Sequence, residues 1–258
     1  MKVYILVDIG NTNLLFGKFD NSKLIDQLRI ETSIFNDEIL DKGKETQKKI
    51  INFFGDNCSD CLVSGVVPDT TKNLIKFLDN LSKFDVNEID NEYLRKIIDV
   101  DVDKPGDVGV DRLINSYAAL FIYNRPLIIV DFGTATTFDL VSANGSYMGG
   151  IICPGVNLSI QSLANNTAKL PLIKIKKVDH LIGKDTNQAI ESGSYWGYVS
   201  LVNGLIKRLK EQKGFKNSYV IATGGLSGIF EDDLIEIESY EPNLTLKGLN
   251  IIYNEYKK

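Results

Sequence analysis

An α/β fold built from two related halves is predicted by three observations. First, a strand-forming run ends in Asp-x-Gly twice, at Leu6-Val7-Asp8-Ile9-Gly10-Asn11-Thr12 and at Ile129-Val130-Asp131-Phe132-Gly133-Thr134-Ala135, with the aspartates 123 residues apart (131 − 8) in a chain of 258. Second, each copy returns as a strand with a turn signal, Asn21-Ser22 in the first and Asn144-Gly145 in the second. Third, amphipathic stretches of helical period are interspersed with the strands. A period near half the chain marks a duplicated domain, because solenoid repeats are far shorter, about 20–50 residues.

Residues 2–8, Lys-Val-Tyr-Ile-Leu-Val-Asp, are β-branched and aromatic and stop at the Gly10-Asn11 turn signal, so they predict a buried strand. Leu14–Phe19 and Leu24–Ile30 continue as a meander. Asn36–Phe54 is charged and periodic, with Ile39, Leu40, Ile50, Ile51 and Phe54 as the apolar face of a helix. Cys61–Val67 is a strand ended by Pro68, Thr70–Leu81 is amphipathic, and Asp99–Asp107 is a charged stretch. Asp111–Tyr123 predicts a long helix with Leu113, Ile114, Tyr117, Ala118 and Phe121 on one side. The domain boundary is placed near Asn124-Arg125-Pro126, giving halves 1–124 and 125–258, and Leu127–Val130 opens the second half as a buried strand. Ala189–Leu209 predicts a long helix in which Gly193, Gly197 and Gly204 allow close helix–helix approach, as core or as a dimer surface.

Composition narrows the classes. Charged residues make up 24% and apolar residues 43%, an ordinary globular mixture, and the net charge of −5 argues against nucleic acid as the main partner. Only the five residues Val3–Val7 form the N-terminal apolar run, whereas a signal h-region needs roughly seven to fifteen, and no run reaches the ~18 of a membrane span. A cytoplasmic protein is expected. Cys58 and Cys61 form a lone Cys-x-x-C, readable as half a zinc site, a redox pair or reduced structural thiols; with a single histidine, His180, the last is favoured.

The chemistry-bearing motifs sit at strand ends. In Asp8-Ile9-Gly10-Asn11-Thr12-Asn13, glycine lets backbone approach a ligand, successive N–H groups suit an anion, and Asn11, Thr12 and Asn13 add donors. Asp8 would repel phosphate unless it holds Mg²⁺, directly or through water. In the second loop Thr134 is the expected phosphate contact and Asp131 a cation ligand. The run Ile221-Ala222-Thr223-Gly224-Gly225 suits a flat ligand such as an adenosine ring lying on backbone. Gly109-Val110-Asp111-Arg112 opens a helix: Asp111 is either an N-cap or the acceptor of a substrate hydroxyl proton, with Arg112 pairing an anion.

Taken together, these segments resemble the type III pantothenate kinase family over nearly the whole chain. The resemblance is carried by the Asp8-x-Gly10-Asn11-Thr12 opening, Gly109-x-Asp111-Arg112, the Asp131-x-Gly133-Thr134-Ala135-Thr136-Thr137 loop and Gly149-Gly150-Ile151-Ile152-x-Pro154-Gly155. Gly183-x-x-Thr186, Gly224-Gly225 and Pro242-Asn243-Leu244-Thr245-Leu246-x-Gly248-Leu249 complete it. It implies two duplicated ribonuclease H-like (actin-like ATPase) domains, each a mixed five-stranded sheet with helices. It implies ATP-dependent phosphorylation of pantothenate, the first step of coenzyme A biosynthesis. Asp8, Ile9, Gly10, Asn11, Thr12, Asn13, Leu14 and Leu15 would form the ATP phosphate loop, with Thr134 also on ATP and Gly224 and Gly225 at adenosine. Asp111 would be the general base, Gly109, Val110, Arg112 and Thr186 would line the pantothenate site, and Asp131 would bind K⁺ or NH₄⁺. A homodimer with the pocket at the interface is implied, without nucleic-acid or membrane partners. The family's Gly-Ala-Asp-Arg is Gly-Val-Asp-Arg here, and its frequent tyrosine seven residues before that glycine is Val102. Two alternatives are another small-molecule kinase of the same superfold and a non-catalytic transcription accessory factor.

Overall fold

The computed structural model describes residues 3–35, 44–81 and 85–257. The part of the expected Asn36–Phe54 helix that precedes Lys44, including Ile39 and Leu40, lies outside the described residues.

The first sheet contains β1 (Val3–Ile9), β2 (Asn13–Asp20), β3 (Lys23–Glu31), β4 (Cys58–Gly65) and β5 (Asp85–Glu88), in the order β3-β2-β1-β4-β5. β1 pairs antiparallel with β2 and parallel with β4. As the central strand it is covered on both faces, which is why it reads as a continuous apolar run: Tyr4, Ile5, Leu6 and Val7 are all buried. Burying each aliphatic side chain contributes about 1.5–3 kcal/mol. Ile5, Val7 and Ile9 pack with Leu14, Phe16, Cys61 and Val63 against α1 (Lys44–Phe54) and α2 (Pro68–Asn80). α2 starts at Pro68, two residues before the expected Thr70, because proline at the first helical position lacks only an N–H that would be orphaned anyway.

α3 (Asn91–Ile97) is capped by Asp90, whose carboxylate accepts from the Tyr93 N–H at 2.8 Å. α4 (Val110–Ile122) follows after a short 3-10 turn at Pro105–Asp107.

The second sheet repeats the topology with β6 (Leu127–Phe132), β7 (Ala135–Val141), β8 (Tyr147–Pro154), β9 (Tyr219–Thr223) and β10 (Ser239–Tyr240), in the order β10-β9-β6-β7-β8. Position by position, β6 corresponds to β1, β7 to β2, β8 to β3, β9 to β4 and β10 to β5, with matching parallel and antiparallel pairs. Its core packs Ile128, Val130, Phe132 and Phe138 against α5 (Val156–Asn165) and α6 (Thr186–Lys210). α6 begins three residues before the expected Ala189, where the Asp185 carboxylate accepts from Gln188 N–H at 2.9 Å.

Two compact units result. The first comprises the described residues up to Ile98, Lys104–Ala118 and Thr245 onward; the second comprises Asp99–Asp103 and Ala119–Leu244. The last helix, α7 (Leu244–Tyr256), therefore groups with the first unit from Thr245 onward. Its anchor is Asp60 on β4: the Tyr253 hydroxyl donates to Oδ2 at 3.0 Å and Lys257 Nζ lies 2.7 Å from Oδ1. Tyr253 also stacks on Tyr4, with ring centroids 3.9 Å apart.

Cys58 and Cys61 are buried free thiols, and burial pushes the Cys58 pKa up to about 11 and that of Cys61 upward as well. No group of three or more metal-ligating side chains of the His, Cys, Asp and Glu type occurs among the described residues. No helix among them is long and apolar enough to cross a membrane.

Candidate active site

In the first unit, Asp8 ends β1 and the chain turns through Gly10–Thr12 into β2. The Gly10 N–H donates to Asn13 O at 2.9 Å. Thr32, which the sequence reading did not single out, braces this turn: its hydroxyl donates to Gly10 O at 2.7 Å and its N–H to Thr12 O at 3.0 Å. Asn11 and Thr12 are exposed and Asn13 is half-buried, as donors to a ligand need to be. Ile9 and Leu14 point into the core and can meet a ligand only through backbone. Asp8 lies between Leu15 on β2 and Ser64 on β4. Ser64 is fully buried, and its Oγ has no hydrogen-bond partner among the described residues.

Asp111 stands in the first turn of α4, in the same unit, where the macrodipole favours a carboxylate. Its Oδ1 accepts from the Arg112 N–H at 2.8 Å. Desolvation raises its pKa above the ordinary carboxylate value, opposed by that N–H and by the Arg112 charge. Gly109 makes room for it, since a Cβ there would sit 2.6 Å from Asp111 Oδ1.

In the second unit, Asp131 and Gly133 end β6 and open the turn to β7, with the Gly133 N–H donating to Ala135 O at 3.1 Å. Thr134 is exposed at the turn, and its carbonyl accepts from Gly155 N–H at 3.1 Å. Asp131 lies between Thr137 on β7 and Thr223 on β9. Gly224, at φ +90°, comes so close that a Cβ would meet Asp131 Oδ1 at 2.5 Å, so Asp131 and the Gly224-Gly225 turn form one cradle. An aspartate whose cross-strand neighbours are both threonines is an oxygen donor set that suits a hard cation. Ser64 carries no signal in the sequence, and Thr223 is named there only within the Ile221–Gly225 run; strand pairing is what sets each beside an aspartate.

Thr186 is exposed in the first turn of α6. Gly183 packs against that turn, a Cβ there meeting Ala189 N at 2.2 Å. A cleft of about 500 Å³ lined by Lys174–Lys177, Gly228, Ile229 and Asp232 contains none of the expected site residues.

Two equivalent mixed sheets, each with an Asp-Gly hairpin at its centre, define the fold class: duplicated ribonuclease H-like domains of the actin-like type. The chain has this fold in common with a Campylobacter jejuni protein assigned to the Baf family of transcriptional activators (TM-score 0.59, 20% identity, 98% of each chain). It has it in common also with component A of (R)-2-hydroxyglutaryl-CoA dehydratase from Acidaminococcus fermentans (TM-score 0.54, 14% identity, all of each chain). Residues 4–208 match the family model of type III pantothenate kinase, and the chain belongs to that family. It is 38% identical to the type III pantothenate kinase of Maricaulis maris over 95% of both chains. It is also 38% identical to that of Exiguobacterium sibiricum, over 98% of this chain and 99% of the relative.

Proposed function

We propose that the protein transfers the γ-phosphoryl group of ATP to the primary hydroxyl of pantothenate, giving ADP and 4′-phosphopantothenate, in the cytoplasm and as a homodimer. Membership of the type III pantothenate kinase family carries this reading.

Asp111 accepts the hydroxyl proton, while Gly109, Val110, Arg112 and Thr186 line the acceptor site. In favour of this role, Asp111 keeps a raised pKa beside an arginine, so proton acceptance is less uphill than for an exposed carboxylate. The Asp8–Leu15 hairpin and Thr134 receive the phosphates, and Gly224 and Gly225 the adenosine. Asp8 serves Mg²⁺ or another divalent cation, and Asp131 serves K⁺ or NH₄⁺. When bound, these cations neutralise charge on the phosphates. Gly193, Gly197 and Gly204 support the dimer: among the described residues a Cβ at each meets no atom within 4 Å beyond its own stretch of helix, and glycines of this kind in a helix interior cost about 1 kcal/mol apiece relative to alanine unless something else uses the space.

The test is pantothenate-dependent ADP release with and without K⁺. Wild type responds to both, and Asp111→Asn lowers kcat by roughly 10²-fold or more. No pantothenate-dependent ADP release under any cation would end the reading; near-normal turnover of Asp111→Asn would remove only the base. A raised folded-state pKa also predicts pH behaviour. Turnover falls as pH drops through a value above the usual carboxylate pKa of about 3.9. The stability cost of ionising Asp111 is full above its folded pKa and absent below its unfolded pKa. Asp111→Asn should therefore raise the melting temperature at pH 7 but not at pH 3, where thermal denaturation at both values checks the sign.

A further inference from the structure

The duplication supplies an internal control for what each half has acquired. Asp131 and Thr137 are cross-strand partners on β6 and β7, as Asp8 and Leu15 are on β1 and β2. Two residues beyond Thr137, on the same face of β7, is Asp139; two residues beyond Leu15 is Gly17. The second half thus carries a hydroxyl and a carboxylate where the first carries an aliphatic side chain and none.

These two residues are tied together. The Thr137 hydroxyl donates to Asp139 Oδ2 at 3.0 Å, and the Tyr147 hydroxyl donates to Asp139 Oδ1 at 2.9 Å. Asp139 and Tyr147 are fully buried. A threonine hydroxyl has one proton and two lone pairs. With the proton committed to Asp139, only lone pairs are left beside Asp131, so Thr137 is fixed as an acceptor. An acceptor there opposes a phosphate oxygen and suits a cation.

We propose that Thr137 is a ligand of the monovalent cation held at Asp131, and that Asp139 is the positioning residue that turns the Thr137 lone pairs toward it. This rests on the reading of Asp131 as the cation site. Groups that orient a metal ligand are typically worth about 10–100-fold in metal affinity.

The experiment measures K⁺ in two ways on the intact protein: the half-saturating concentration for ADP release, and the rise in melting temperature when K⁺ replaces choline. Thr137→Val should raise half-saturation about tenfold and shrink the thermal rise, with the pantothenate KM at saturating K⁺ within about twofold of wild type. Asp139→Asn should behave in the same direction, and Thr137→Ser should restore most of the response. Tyr147→Phe removes the other donor to the same carboxylate and should leave the K⁺ response in place.

Wild-type half-saturation in Thr137→Val, with Asp131→Asn insensitive to K⁺, overturns the proposal and leaves Asp131 as the cation site. Equal losses of K⁺ response in Thr137→Val and Tyr147→Phe also overturn it, since they mark a merely structural network. Absence of any K⁺ effect on wild type, thermal or catalytic, overturns the Asp131 reading and the proposal with it. Should Asp139→Asn fail to fold, the Thr137 pair of variants decides alone.

Discussion

The hairpins β1–β2 and β6–β7 occupy equivalent places in equivalent sheets, but the first turn is one residue longer, with four residues between the paired Ile9 and Leu14 and three between Phe132 and Thr136. In both, the glycine N–H closes across the turn, Gly10 to Asn13 and Gly133 to Ala135. In both, the aspartate has a buried hydroxyl residue as its parallel-strand neighbour, Ser64 beside Asp8 and Thr223 beside Asp131. The elements that follow differ. β4 leads into the 13-residue α2, whose Thr70, Thr71, Leu74 and Leu78 are buried, whereas β9 leads through Gly224-Gly225 into a 3-10 turn at Ser227–Ile229. The duplicated sheets thus share an aspartate with a hydroxyl neighbour at the end of the central strand, while the connection after the fourth strand differs, a helix in the first and a glycine turn in the second.

The sharpest way to break this comparison is to neutralise both aspartates. Asp8→Asn should lower kcat/KM for ATP by roughly 10²-fold while K⁺ still activates what activity remains. Asp131→Asn should abolish activation by K⁺; steady-state kinetics in K⁺ and in choline separate the two. Equal phenotypes would mean that the loops never diverged.

A smaller effect comes from the turns. Gly224→Ala places a side chain at φ +90°, 2.5 Å from Asp131 Oδ1 and 2.6 Å from Phe132 N, and should cost at least about 2 kcal/mol. Gly10→Ala, with its Cβ 3.2 Å from Asn13 O, should cost less than about 1 kcal/mol. Urea unfolding of both variants tests the asymmetry.

The smallest effect sets α6 against α1, the 25-residue helix against the 11-residue one. Gly193→Ala should stabilise the isolated helix by about 0.5–1 kcal/mol, because nothing among the described residues opposes the methyl group. If a second copy packs there, the same change weakens association, which sedimentation equilibrium at several concentrations would register.

Much of this was legible in the sequence because the repeat aligned β1 with β6 and their turns with each other. The central strands announced themselves by being apolar on both faces. Other parts depended on partners distant along the chain. β4 begins at Cys58, ahead of the expected Cys61, because Asp60, an unpromising strand residue, is held by Tyr253 and Lys257 nearly two hundred residues later. β5 and β10 have 4 and 2 residues and carry too little pattern to read. α5 and α7 were missed too, and nothing local in the C-terminal sequence points to Asp60 as the partner of α7. In the site, the aspartates and glycines stood out by spacing. Thr32, Ser64, Thr223 and Asp139 did not, since each matters through a hydrogen bond or a cross-strand register.

The grouping of α7 with the first unit also bears on the order of events at the ribosome. Residues 119–244 form an unbroken stretch and can close on themselves while the chain is still being made. The unit that starts first cannot finish until the last helix emerges to cover Tyr4 and satisfy Asp60. The half carrying Asp8 and Asp111 is thus begun early and sealed late, and loss of the final thirteen or so residues should unravel it while sparing the half that carries Asp131.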